Sequence, residues 1–225
     1  MQRFFDIVFS GIALVLLSPL LLPLMFILRV TGEGEIFFPQ NRVGRGGDDF
    51  KLYKFATMLK DSPNIGAGTL TVKNDPRVLP MGGLLRKTKI NELPQLINIF
   101  KGDMSVIGPR PQTQRCFDAF PLSAQNEIKK VRPGLSGIGS IIFRNEEDMI
   151  HANNDPDKFY DEIVMPYKGS LEDWYVSNQS IGSYFSLIGL TVWVVLSSNS
   201  GLVWAMFKDL PEPPTELKQA VNFTD

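Results

Sequence analysis

A chain of 225 residues can build one sizeable core, or one domain plus a membrane element. Its 23 basic and 24 acidic residues leave a net charge of -1, which argues against a strong nucleic-acid footprint. One cysteine (Cys116) rules out an internal disulfide framework, and one histidine (His151) argues against a His-rich metal centre or a Ser-His-Asp triad, so any metal should sit among oxygen ligands, as magnesium does.

In chain order, the first element is the uncharged run Ile7 to Leu28. It is long enough to cross a bilayer, for which roughly 20 residues suffice. A signal peptide fits less well, because Asp6 precedes the run and no small-x-small cleavage pattern comes before Arg29. Ser18-Pro19 interrupts the run near its middle, and Pro23 follows. Proline removes a backbone donor and clashes with the carbonyl four residues back. Two readings stand at this point: a kinked spanning helix, or a re-entrant hairpin that bends at Ser18-Pro19 and leaves by the face it entered. Arg3 before the run and Arg29, Arg42 and Arg45 after it favour both ends in the cytoplasm.

Next, "EIFFPQNRVGRGGDDFKLYKFATM" places two aromatic-rich runs around a Gly turn. It predicts a β-hairpin with "GRGGDD" at its tip. The glycines lack a GK[ST] ending and open no evident helix, so a turn is favoured over a phosphate-cradling loop.

In "NDPRVLPMGGLLRKTKINELPQLINIFKGDMSVIGPRP", Leu84, Leu85, Leu93, Leu96, Ile97 and Phe100 recur at loosely helical spacing. Pro94 suits the first turn of a helix beginning near Asn91, with Asn91 as its cap and Glu92 in its first turn. Such a helix start would also attract phosphate. Gly102, Gly108, Pro109 and Pro111 keep "KGDMSVIGPRP" out of regular helix. Arg110, between two prolines, is either a preorganised phosphate contact or a solvated turn residue.

Further on, Asp155-x-Asp157 has a spacing that can hold a metal, although Asp-Pro is also a common turn starter. His151 has no partner signature and reads as a surface or packing residue. Ile181 to Phe207 is apolar, carries Trp193 and Trp204, and is interrupted by "SSNSG". It reads as an interfacial helix pair, with a core helix as the rival. The Pro-rich, acidic end, "DLPEPPTELKQAVNFTD", reads as a surface extension.

Several of these segments together resemble one family. "QRFFDIVFSGIALVLLSPLLL", "FFPQNRVGRGG", "FKLYKFATM", the central block from "NDPRV" to "GPRP", and "VRPGLSGIGS" are similar, in order, to a bacterial polyprenyl-phosphate sugar-1-phosphate transferase of the small monotopic phosphoglycosyl transferase type. Beyond residue 145 the likeness thins to "WYVSNQSIG". The resemblance implies transfer of a sugar-1-phosphate from a nucleotide diphosphate sugar, usually a UDP-sugar, to undecaprenyl phosphate, the first membrane step of glycan assembly. It implies a need for magnesium (Mg2+) and a place on the cytoplasmic face of the inner membrane. It also implies that Ser18 and Pro19 form the break of a re-entrant hairpin.

By position, Asn91 stands where the family has a nucleophilic Asp, and Glu92 is its acidic, metal-linked partner. Lys54 and Arg86 match basic residues near that pair. Arg110 matches the phosphate arginine of Pro-Arg-Pro, and Arg42 the arginine after the first strand. Ala56 stands where a basic residue is usual.

A carboxamide does not attack phosphorus, so Asn91 leaves three outcomes. These are direct attack by the ionised acceptor phosphate, a covalent route through Glu92 with Asp103 as metal ligand, or an inactive homologue that binds lipid diphosphates or scaffolds a pathway.

The expected fold is mainly α with a small β-hairpin: a monotopic membrane protein with a re-entrant N-terminal helix hairpin and interfacial amphipathic helices. The expected divisions are residues 1–30 for the membrane hairpin, 31–180 for the catalytic domain, 181–207 for the interfacial helices and 208–225 for the tail. A homodimer is among the expected assemblies.

Overall fold

The computed structural model describes residues 1–65, 75–151, 155–197 and 199–223. The chain divides into two compact units. One comprises Phe5–Asn41 and Lys51–Gly102. The other comprises Met1–Phe4, Arg42–Phe50 and Asp103–Asp225.

The first of these is dominated by α1 (Gln2–Val30), whose opening residues belong to the other unit. It is the one described helix long and apolar enough to cross a membrane. It continues through Pro19 and Pro23. Pro19 cannot donate to the carbonyl of Val15, and Ser18 Oγ donates to that carbonyl instead, at 2.8 Å. The serine thus satisfies the acceptor that its proline neighbour leaves bare. Past Val30 the chain turns at Gly32 and Gly34, both with positive φ, and Arg29 Nη1 donates to Gly34 O.

One stripe of α1, Leu21, Leu24 and Leu28, is buried against Phe55 and Leu85. Val15, Leu16, Leu22 and Phe26 face outward and are largely exposed. The hairpin is formed by β1 (Phe37–Val43) and β2 (Asp49–Phe55). Its tip holds a 3-10 turn at Arg45–Gly47, with Gly46 and Gly47 at positive φ, as the Gly cluster predicts. Phe37 stacks on Phe55. Asn98, fully buried, accepts from Tyr53 N and donates to Lys51 O, which satisfies the edge of β2 with one side chain. The helix carrying it, α3 (Gln95–Lys101), follows α2 (Gly82–Lys87) and a 3-10 turn at Ile90–Glu92.

Before α2, buried Arg77 pairs with Asp75 at 2.5 Å and donates to the carbonyls of Ser62 and Ile65. One guanidinium thereby closes the connection from β2.

The second unit contains a strand pair that the sequence patterning did not predict. β3 (Ser105–Ile107) runs parallel to β4 (Gly134–Ser136), with Ser105 opposite Gly134. Between them lie α4 (Gln114–Asp118) and α5 (Leu122–Ile128). After β4 come α6 (Ile138–Ile142), α7 (Glu146–His151) and α8 (Pro156–Phe159). α8 runs through one π-helical turn into α9 (Met165–Ser177). Val43, Phe117, Phe120, Ala124 and Met165 form a core cluster here.

The apolar stretch after residue 180 does form two helices, α10 (Ile181–Ser197) and α11 (Leu202–Met206). Tyr184, Leu187, Leu190 and Val194 are buried, while Val192, Trp193, Val195 and Leu196 are exposed. The segment is core on one face and apolar surface on the other.

The end of the chain corrects the expectation of a surface extension. Leu210, Leu217 and Val221 are buried, and α12 (Thr215–Lys218) carries the second of them. Tyr167 OH donates to Pro211 O, and Trp204 Nε1 to Val221 O. Three apolar residues suffice to dock a segment whose prolines and acids suggest solvent.

Candidate active site

The segment Lys87 to Gln95 is built by three breaks in helical geometry. α2 ends at Lys87, and Lys89 then adopts φ 59, a left-handed conformation that is unfavourable for a non-glycine residue by about 1 kcal/mol or more. The turn Ile90–Glu92 follows, and Pro94 occupies the cap position of α3. Asn91 therefore does not cap: Lys89 and Pro94 hold the two cap positions, and neither helix start has a side-chain cap. The side chain of Asn91 is buried instead, and its Oδ1 has no hydrogen-bond partner.

Glu92 lies beside it in sequence and faces β2. Its Oε1 is 3.4 Å from Lys54 Nζ, with side-chain exposures of 16% and 19%. Arg86, on the last turn of α2, places Nη1 3.6 Å from Met58 Sδ. Lys54, Arg86, Asn91 and Glu92 thus belong to one unit, and the fold brings Lys54 onto Glu92. Ala56 is buried and its N–H donates to Ile36 O, so that position adds no charge.

Gln95, one residue past Pro94, was not singled out by sequence reasoning. It is 1% exposed and its Nε2 has no partner. Its place at the start of a helix after proline is the only sequence signal it gives. A native fold rarely leaves such groups unfilled without a reason.

Arg110 and Arg42 belong to the other unit. The chain beside each is joined by Val43 N donating to Gln112 O at 3.0 Å. A small cleft is lined by Val43, Gly44, Arg110, Gln112 and Phe117. The Gly-Pro-Arg-Pro turn is gripped from below by "PGLSG". Gly108 N donates to Ser136 O, and Gly134 N to Pro109 O. A Cβ on Gly134 would come within 2.1 Å of Gly108 N, and one on Gly137 within 2.2 Å of Gly108 O. Only glycine permits that approach. The carbonyl of Ile107 accepts from Tyr175 OH at 3.1 Å and from Gln2 Nε2 at 3.0 Å. Asp103 is in this same unit.

The Asp155-x-Asp157 pair is structural. Asp155 caps α8 through Lys158 N, and Asp157 lies 3.8 Å from Arg115 at the surface. The side chain of His151 lies outside the described residues. Among the described residues, no three His, Cys, Asp or Glu side chains cluster to bind a metal.

Residues 1–198 match the family model for bacterial sugar transferases. The chain belongs to that family. Every candidate residue above falls inside the matched range. The exopolysaccharide production protein ExoY of Rhizobium meliloti (strain 1021) is 35% identical over 159 residues, covering 64% of this chain and 70% of the relative. The UDP-N-acetylgalactosamine-undecaprenyl-phosphate N-acetylgalactosaminephosphotransferase of Aeromonas hydrophila is 41% identical over 145 residues, covering 63% of this chain and 34% of the relative. The undecaprenyl-phosphate galactose phosphotransferase of Salmonella typhimurium is 32% identical over 211 residues, covering 87% of this sugar transferase and 40% of the relative. The chain thus spans well under half of those last two proteins.

Proposed function

We propose that this sugar transferase moves a sugar-1-phosphate from a UDP-sugar to undecaprenyl phosphate, releasing UMP. The observation that carries the reading is the Lys54–Glu92 pair, set beside buried Asn91 in a chain of this family. Two relatives whose names specify undecaprenyl phosphate as acceptor support the choice of lipid.

The reaction needs one P–O bond made and one broken. An oxygen of the acceptor phosphate attacks the sugar-bearing phosphorus, and the bridging oxygen leaves with UMP. The attacking monoester is largely ionised near neutral pH, its second pKa being about 6, so no general base is required. Phosphoryl transfer depends mostly on positioning and charge stabilisation. Lys54 and Arg86, in the unit that carries Glu92, supply cationic donors for phosphate oxygens there; the role of Arg110 and Arg42 as phosphate contacts rests on the resemblance alone. Asn91 cannot form a phosphorylated intermediate and Glu92 is engaged by Lys54, which favours direct transfer between the two substrates over a covalent route through Glu92.

The donor set fits magnesium bound in its usual manner, through one or two protein oxygens with the remainder from phosphates and water. Glu92 and the orphaned Oδ1 of Asn91 would hold it. When bound, the ion neutralises charge on the diphosphate.

We further propose that the chain lies on the cytoplasmic face of the inner membrane, with α1 as a re-entrant element bent at Ser18-Pro19. Contacts on both sides of that pair support this. A Cβ on Gly11 would meet Phe100 at 3.4 Å, and Leu21, Leu24 and Leu28 pack on Phe55 and Leu85. Both halves touch the unit that carries Lys54, Arg86 and Glu92. A straight crossing would carry one half away from that unit, or drag its charges to membrane depth. The exposed apolar face of α10 is itself suited to a membrane surface.

The test is UMP release from UDP-galactose and UDP-N-acetylgalactosamine by the purified chain in detergent with undecaprenyl phosphate. Release that requires the lipid supports transfer. Lipid binding without release at any UDP-sugar supports a scaffold role instead.

A further inference from the structure

We infer that Glu172 is a positioning residue for the arginine turn: its carboxyl packs beneath the peptide groups of Arg110 and Gly139 and fixes where the Arg110 guanidinium is presented. This rests on the reading of Arg110 as a phosphate contact.

Glu172 lies in the middle of α9 and is 1% exposed. Neither of its oxygens completes a hydrogen bond of good geometry. A buried carboxyl in that state is unfavourable, and such a group calls for a reason. Lys168 favours the charged carboxyl from nearby but is itself paired elsewhere. One turn earlier on α9, it directs Nζ to Glu146 Oε1 at 2.7 Å and lies over the Phe143 ring.

The carboxyl is instead pressed against backbone. A Cβ on Gly139 would come within 2.4 Å of Glu172 Oε1, so the oxygen occupies the space a side chain would take. The backbone N–H groups of Arg110 and Gly139 lie near enough to favour its ionised form. One turn further along α9, Tyr175 OH holds the carbonyl of Ile107, three residues before Arg110. One helix face thus supports the turn at two points, from Ile107 through Tyr175 and from Arg110 through Glu172.

The ionisable groups around Glu172 are Lys168 on its own helix, Glu146 through Lys168, Tyr175, and Arg110 on the turn; α6 contributes none. Burial is the largest influence on the carboxyl and raises its pKa to about 7.

Two readouts on the full chain in detergent test the inference. With arginine labelled with nitrogen-15, and the Arg110 peak assigned through Arg110→Lys, the Arg110 amide resonance is expected to shift with pH around 7. In Glu172→Gln the shift should vanish while the fold is retained. In the UMP-release assay, Glu172→Gln should raise KM for the UDP-sugar about tenfold with a smaller effect on kcat. An Arg110 amide that does not respond to pH in the wild type, or an unchanged KM in Glu172→Gln, overturns the inference. If the wild type releases no UMP from any UDP-sugar, the transferase reading fails, and the amide titration alone decides whether Glu172 holds the turn.

Discussion

Lys54 on β2 and Glu92 on the Ile90–Glu92 turn form a largely shielded pair, 3.4 Å apart. At that distance the ammonium is close enough to balance the carboxylate yet loose enough to turn to a substrate phosphate. Lys54→Met removes a phosphate donor and leaves Glu92 without this cation. UMP release should fall about 100-fold, with a stability loss of roughly 1 kcal/mol, because the pair is only partly buried. Glu92→Gln keeps the shape and should abolish release to within background. Steady-state kinetics and denaturant titration check both variants.

Ser18 and Pro19 make a second pair that acts as a unit. Ser18→Ala leaves the Val15 carbonyl without the hydroxyl that now serves it, and should destabilise α1 by about 1 kcal/mol. Pro19→Ala restores a backbone donor to that carbonyl. In the double variant the effect of losing Ser18 should shrink towards zero. A double-mutant cycle on unfolding in detergent measures the coupling.

The glycine grip on the arginine turn gives a sharp contrast. Gly134→Ala puts a Cβ 2.1 Å from Gly108 N, backbone that cannot swing aside. It should destabilise the protein by about 3 kcal/mol or abolish folding. Gly189→Ala, in the middle of α10 with nothing within 4 Å of the added carbon, should be neutral or stabilising by about 0.5–1 kcal/mol. Thermal unfolding of the two variants provides the comparison.

Glu172 makes stability depend on pH in a definite direction. Burial raises the pKa of its carboxyl from the usual 4.5 to about 7. Between those values the folded state holds a proton that the unfolded state has released, so stability falls as pH rises through that window. The loss is complete above pH 7 and absent below about 4.5. Its size is on the order of 3 kcal/mol. Denaturant unfolding of wild type and Glu172→Gln from pH 4.5 to 8 isolates this contribution, because the difference between the two curves removes the slope from other carboxylates.

The hairpin and the short helices around Leu85 and Leu96 were legible because local period and Gly turns determine them. The grouping of Lys54 with Glu92 was expected from resemblance and is seen as geometry. The β3–β4 pair was not legible, since three-residue strands far apart in sequence carry no readable alternation. The partners of Gly134 and Gly137 follow only from that pairing. Asn91 misled as a cap because Lys89 adopts a left-handed conformation that side-chain chemistry does not announce. Gln95 and Glu172 drew no reading from the sequence, since polarity in a sequence does not report burial. The docked tail was hidden for the converse reason: Leu210, Leu217 and Val221 are sparse among prolines and acids.

With Asn91 in place of a nucleophile, this chain is proposed to transfer the sugar-1-phosphate directly to undecaprenyl phosphate. The measurement that tests this proposal most directly is UMP release from a UDP-sugar, with and without the lipid, alongside the intact mass of the protein during turnover. Direct transfer predicts lipid-dependent release, a lipid diphosphate sugar formed in equal amount, and no mass increase on the protein. A persistent sugar-phosphate adduct that vanishes in Glu92→Gln, or release that appears only in Asn91→Asp, would contradict it.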